Sequence, residues 1–214
     1  MLSVSEARNR IISDMKLTAA VQVSVGDIFG RVLAQKLKSR RTQPPFDASA
    51  MDGYAVRAED ITSVPSTLQV VGSVNAGTRY NAKIKAGQAV RIFTGAPIPE
   101  GTNTVIIQED TEVDGNTLTI KGIEPKRHIR KAGLDFNKGE TIFEAGKFIT
   151  ARDAGLIAAM NYPWVMVRQR PRVGILSTGD EVVMPGDPVG PNQIVSANSI
   201  GLAAAVRAFG GDPV

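Results

Sequence analysis

Apolar positions recur along this chain at two different periods, and the switches between them mark its parts. Ser3-Val-Ser-Glu6 has the form of a capping box, and Ala7, Ile11, Ile12 and Met15 follow at helical spacing, so the chain opens with an amphipathic helix. Residues 21–25 and 31–37 read as extended segments around a short helical turn at 26–30, and Arg40, Arg41 and Pro44-Pro45 close that region. From there to about Gly139 the apolar runs shorten, with Gly, Asn and Pro between them, and 68–74, 89–93, 104–108 and 117–120 are expected strands of a small β domain. Residues 141–148 read as another extended pair. Thr150-Ala-Arg-Asp153 offers a second helix cap ahead of Ala154, Ile157, Ala158 and Met160. Beyond it, 168–172 (RQRPR) reads as a charged connector, 173–176 as an apolar strand, STGDE as a loop, and 198–209 as a helix with an Ala-rich face. Gly210-Gly211 stops that helix, and Asp212-Pro213-Val214 begins another strand.

These elements predict a multidomain fold of α/β and β parts. Residues 1–45 with 140–169 form a discontinuous mixed α/β region, 46–139 an inserted β-rich domain, and 170–214 the start of a doubly wound α/β domain. A crossover buries its faces only against a parallel partner strand, of which almost nothing is present, so the chain is expected to be a piece of a longer protein.

Composition narrows the chemistry. The chain has 214 residues, no cysteine and one histidine, His128. Disulfides, thiolate chemistry and zinc sites built from Cys or several His are thereby excluded, leaving a hard ion such as magnesium on carboxylate and phosphate oxygens as the metal to expect. The amino-terminal MLSVSEARNR lacks a signal-peptide core and no apolar run reaches spanning length, so a cytoplasmic protein with no membrane partner is expected. The net charge of +4 favours anionic ligands, but no Lys/Arg stripe is interleaved with aromatics, and nucleic acid is not an expected partner.

Four stretches carry candidate chemistry. In PPFDASAMDGYAV, from Pro44 to Val56, Asp47 and Asp52 sit on a loop of small residues; Asp52, beside Gly53, is the stronger candidate for a working carboxylate, the alternative being that both Asp residues form Asx turns. RIFTGAPIPEG ends a strand at Thr94-Gly95, whose hydroxyl and amides suit an oxyanion or serve as an ordinary strand exit. KRHIRKAGLD gathers Lys126, Arg127, Arg130 and Lys131 before Asp135, which is either an oxyanion site or a solvated basic edge. In VGILSTGDEVVMPG an apolar strand runs into Ser177, Thr178, Gly179, Asp180 and Glu181, at the carboxyl end of a parallel sheet where open α/β folds bind ligands. It is neither a P-loop nor a nucleophile elbow, since neither glycine pattern is present.

Taken in order, these stretches closely resemble the molybdopterin molybdenumtransferase family, the MoeA-like proteins to which the gephyrin E domain also belongs. The resemblance runs across essentially the whole chain as its N-terminal portion. It implies insertion of molybdate into adenylylated molybdopterin with release of AMP, assisted by Mg2+, in a homodimer whose cleft is shared between the β domain of one subunit and the molybdopterin-binding domain of the other. On matching positions it implies catalytic roles for Asp52, Thr94 and Asp135, cofactor binding by Ser177, Thr178, Gly179, Asp180 and Glu181, and metal binding by Glu181 and Asp52. The small residues of the first loop are then expected to admit the facing subunit. Leu134 stands where the family usually has Glu, and the chain stops before the family's later glycine-serine motif and C-terminal β domain, so this piece alone is expected to lack most of the molybdopterin pocket and to be inactive. The rival implied by gephyrin is a non-enzymatic scaffold of the same architecture that clusters a partner protein.

Overall fold

The computed structural model describes residues 2–122 and 128–214. The chain divides into two compact units, Lys38–Glu140 and, from both sides of it, Met1–Leu37 with Thr141–Val214.

The Lys38–Glu140 unit is built on a six-stranded sheet. Its strands are β1 (Gly53–Val56), β2 (Ser66–Val74), β3 (Gln88–Ile92), β4 (Thr104–Ile107), β5 (Thr111–Asp114) and β6 (Thr117–Ile120), in the spatial order β4-β1-β3-β2-β6-β5. Only the β2–β3 pair is parallel, and its register shifts between Val70 and Ser73. Successive residues point to opposite faces of a strand. Ala55, Val90 and Val105 accordingly join one buried cluster with Val74 and Ile92, while their neighbours Val56, Ala89 and Ile106 join a second with Leu68, Leu118 and Ile120. Because both faces of β1, β3 and β4 are buried, these three carry short continuous apolar runs in the sequence, whereas β6 (TLTI) alternates with one face buried. Asp114 pairs with Thr117 across a two-residue turn in which Gly115 takes a φ of 59°, as the tight hairpin turn requires.

The strand expectations at 68–74, 89–93 and 104–108 hold with end shifts of one or two residues, and that at 117–120 holds unchanged. Strand β1 was hidden within what read as a loop. It is four residues long and central to the sheet, and the glycine that opens it masks its pattern.

In the other unit both capping boxes form. Glu6 N–H donates to Ser3 Oγ at 3.2 Å and Ser3 N–H to the Glu6 carboxylate at 2.8 Å, opening α1 (Val4–Ser13). Thr150 and Asp153 repeat the arrangement at α2 (Ala151–Ala159). Helix α2 buries Ile157, with Met160 buried at its end, whereas α1 buries nothing, and Ile11 and Ile12 stand exposed on it. Ala20–Ser24 pairs antiparallel with Trp164–Arg168, a strand concealed in the sequence by the charged run it leads into.

Toward the end of the chain, Arg172–Val173 and Asp212–Pro213 pair in parallel on either side of α3 (Ala197–Ala208), and Val182–Val183 pairs in parallel with Ile194–Val195. The strand expected over 173–176 stops at Val173, because Asp212–Pro213 offers a ladder only two residues long; Ile175 N–H still donates to Val214 O at 2.8 Å. Among the described residues no helix is long and apolar enough to cross a membrane.

Candidate functional site

One stretch of backbone gathers three of the four candidate segments. On one side of residues 43–52, Ser49 N–H donates to Ala96 O, Gly95 N–H to Ser49 O and Ile98 N–H to Asp47 O, each at 2.9 Å. On the other side, Ala48–Ser49 pairs antiparallel with Ile129–Arg130, Ala50 N–H donates to His128 O at 2.9 Å, Gly133 N–H to Pro44 O at 3.0 Å and Asp135 N–H to Gln43 O at 2.9 Å. The loop of small residues is therefore zipped along both edges. Ala48 and Ser49 are buried by these neighbours in their own unit, and larger side chains would push the segments apart.

Asp52 and Thr94 meet because of sheet register. Gly53 in β1 lies opposite Ile92 in β3, so the residue before one strand and the residues after the other emerge together. Thr94 donates to Asp52 Oδ1 twice, from its N–H at 2.8 Å and from Oγ1 at 2.7 Å. These bonds, the backbone one first and then the hydroxyl, hold the Asp52 carboxyl below the ordinary aspartate range, and the positive charge of Arg91 adds to the effect. The Arg91 guanidinium lies 5.0 Å from the Tyr54 ring centroid and 4.9 Å from that of Phe93, and donates to Gln108 Oε1 at 2.5 Å, while Gln108 N–H donates to Asp52 O at 3.1 Å. Glycine is required after Asp52, since a Cβ on Gly53 would sit 1.9 Å from Ile106 O.

The basic segment is arranged differently from a free oxyanion cluster. Lys131 Nζ lies 2.6 Å from Asp47 Oδ2, and Arg130 Nη2 lies 3.8 Å from Asp135 Oδ1. Lys126 and Arg127 lie outside the described residues. Asp47 makes no Asx turn in its own loop: its second oxygen accepts from Ala132 N–H at 2.9 Å. The Lys131 contact, followed by the Ala132 bond, lowers the Asp47 pKa. Asp135 is tied to the same loop through its backbone, with its side chain directed to Arg130, and Leu134 is exposed. Sequence inspection missed the reach of Asp47, because nothing local marks a partner 84 residues away.

Ser177, Thr178, Gly179, Asp180 and Glu181 belong to the other unit. Ser177 and Thr178 line a cavity of about 280 Å3 with Ser196, Asn198, Ser199 and Leu202. Ser177 Oγ is 3.3 Å from Ser196 Oγ, which lies 2.6 Å from Ser199 Oγ. Gly179 takes a φ of 133°, and a Cβ there would meet a Glu181 carboxylate oxygen at 2.5 Å, so glycine lets that side chain fold back over the turn. Asp180 and Glu181 are exposed and do not line the cavity. Ser196, Asn198 and Ser199 were not anticipated; their only sequence signal is the polar SANS run at the start of an Ala-rich helix. Among the described residues no group of three or more His, Asp or Glu is placed to hold a metal ion.

The family model described as MoeA N-terminal region (domain I and II) matches residues 2–161. The molybdopterin molybdenumtransferase of a Nostoc species is 37% identical over 223 residues, covering 100% of this chain and 51% of the relative. That of Haemophilus influenzae is 36% identical, covering 92% of this chain and 50% of the relative. A crystal structure of the molybdopterin biosynthesis moeA protein from Pyrococcus horikoshii OT3 superposes with a TM-score of 0.90 at 32% identity, over 100% of this chain and 59% of that one. The chain spans about half the length of the curated relatives it matches. With three-quarters of its length matched by the family model, solved-structure similarity along the whole chain, and the loop of residues 43–52 holding three of its motifs together, the chain belongs to the family of MoeA N-terminal regions.

Proposed function

We propose that this chain supplies the β-domain half of a molybdenum-inserting site, in which molybdate and adenylylated molybdopterin yield molybdenum cofactor and AMP. The observation that carries this reading is the Asp52–Thr94 pair, an ionised carboxylate fixed by two donors from one residue at the ends of two interior strands, β1 and β3. Both donors converge on Oδ1, which sets the carboxylate's rotation and favours its charged form. Pre-set charge of this kind acts on a reacting group without reorganisation during the reaction.

Carboxylates such as Asp52 are hard oxygen donors, the kind that magnesium prefers. Mg2+ takes one or two carboxylates and completes its shell with water and substrate phosphates, so a cage of protein ligands is not needed. In the shared cleft of that reading, Asp52 of one subunit and Glu181 of the other would hold it, and when bound it would neutralise phosphate charge as AMP leaves. The chain's own residues do the remainder. Thr94 orients Asp52. Arg130, paired with exposed Asp135 at 3.8 Å, is loosely enough held to turn toward a tetrahedral oxyanion such as molybdate. The hydroxyls of Ser177 and Thr178 with the Gly179 backbone offer hydrogen bonds to the pterin ligand. The same reading makes the protein a cytoplasmic homodimer with its cleft shared between subunits.

The test is direct. The natural gene product, given adenylylated molybdopterin, molybdate and Mg2+, is expected to release AMP in step with molybdenum cofactor, and Asp52→Ala to slow both by about a hundredfold or more. AMP release that does not depend on molybdate, or an Asp52→Ala protein at the wild-type rate, would sink the reading.

A further inference from the structure

Asp47 adds a side-chain tie between the first and third segments that none of the roles above uses. Its carboxylate spans two points of the turn at residues 131–134, Lys131 Nζ at 2.6 Å and Ala132 N–H at 2.9 Å. That turn is closed by Leu134 N–H donating to Lys131 O at 3.2 Å, with Gly133 at a φ of 74°. Asp135 follows immediately, and its own N–H reaches back to Gln43 O. The Asp47 backbone is itself fixed on the opposite edge, its carbonyl accepting from Ile98 N–H. Asp47 thus connects the Thr94 side of the loop to the Asp135 side through one short side chain.

We propose that Asp47 is a positioning residue: its carboxylate, by capping the turn at Ala132, sets where Arg130 and Asp135 stand relative to the Asp52–Thr94 pair. This rests on the molybdenum-insertion reading for its catalytic consequence, though not for its geometry. The Ala132 bond is the part that matters. The Lys131 side chain is 69% exposed and that of Asp47 38%, and exposed ion pairs of this kind contribute little, whereas a cap on a backbone N–H fixes the turn itself.

Three substitutions separate the two contacts. Asp47→Asn keeps an oxygen for Ala132 N–H and loses the charge, Lys131→Met removes the ion pair alone, and Asp47→Ala removes both. Amide hydrogen exchange on this chain is expected to show Asp135 N–H exchanging about tenfold faster in Asp47→Ala and within about threefold of wild type in the other two, with Val90 and Leu118 unchanged in all three. In the natural gene product, Asp47→Ala is expected to lower kcat about tenfold with KM for molybdate within about threefold, and Asp47→Asn to restore most of the rate. An Asp135 amide that keeps its wild-type rate in Asp47→Ala overturns the proposal, as does a Lys131→Met protein that loses as much protection as Asp47→Ala. Should Asp47→Ala not fold, Asp47→Asn and Lys131→Met decide: both near wild type supports the cap, and loss in both overturns it. If wild type inserts no molybdenum, the functional reading fails, and the exchange data still judge the placement of Asp135.

Discussion

Asp47 and Asp52 share one loop and are both held below the ordinary aspartate range, but by different kinds of donor. For Asp47 the leading cause is a charged lysine; for Asp52 it is a backbone N–H followed by a neutral hydroxyl. Salt distinguishes them. At about 1 M ionic strength the screening length falls to roughly 3 Å, so the Asp47 depression is expected to shrink while that of Asp52 largely persists, as carboxyl NMR titration would record. Equal loss at both sites would contradict the assignment of causes. A depressed folded pKa means that each carboxylate contributes stability above the unfolded value, near 4, and loses it as pH falls through the folded value. Thr94→Val keeps the N–H and removes the hydroxyl. The Asp52 pKa is then expected to rise part of the way toward the ordinary value, and no movement at all would mean that the Oγ1 bond does not hold in solution.

At the scale of elements, what could be read from the sequence was what is local. The Ser3–Glu6 and Thr150–Asp153 boxes are each complete within four residues, and both form. Strands β2, β3 and β4 carry apolar runs, β6 (TLTI) alternates polar and apolar residues, each is bounded by turn residues, and they too were legible. The Gly53–Val56 strand was not, since its identity depends on β3 and β4 lying on either side of it, which no window of sequence contains. The same limit applies to the site. The motifs and their order were visible, but not that Asp47 would cap a turn beginning 84 residues later, nor that Lys131 would be occupied by it. Gly53 turns this into a measurement. Its Cβ would strike the Ile106 carbonyl at 1.9 Å with Ile107 Cα at 3.0 Å, and neither backbone can retreat without breaking the β1–β4 ladder. Gly53→Ala is expected to cost on the order of 4 kcal/mol or to abolish folding. Gly115→Ala, at a positive φ with open space around it, should cost about 1 kcal/mol. Urea denaturation giving similar losses at the two positions would show that the tight contact at Gly53 is relieved in solution.

At the scale of the whole chain, apolar burial is unevenly spread, and stability should follow it. The sheet of the Lys38–Glu140 unit has a buried cluster on each face. In the other unit, Ile28, Leu33, Ile149, Ile157, Met160, Val165 and Val167 are buried, all ahead of residue 170. Among residues 170–214 only Ser196 and Gly211 are buried, α3 buries none of its residues, and Leu176 and Phe209 are 86% and 92% exposed. Segments with few buried apolar contacts open at low free energy, and cleavage by a protease follows the population of the open form when reclosing is fast. Limited digestion with chymotrypsin is therefore expected to cut first after Leu176, Leu202 or Phe209, and to leave a core that retains β1–β6. Mass spectrometry of the early fragments decides the matter. First cuts inside the six-stranded sheet would contradict this order of stability, and loss of the 170–214 segment and the sheet at one common rate would mean that the chain opens as a single cooperative body despite its uneven burial.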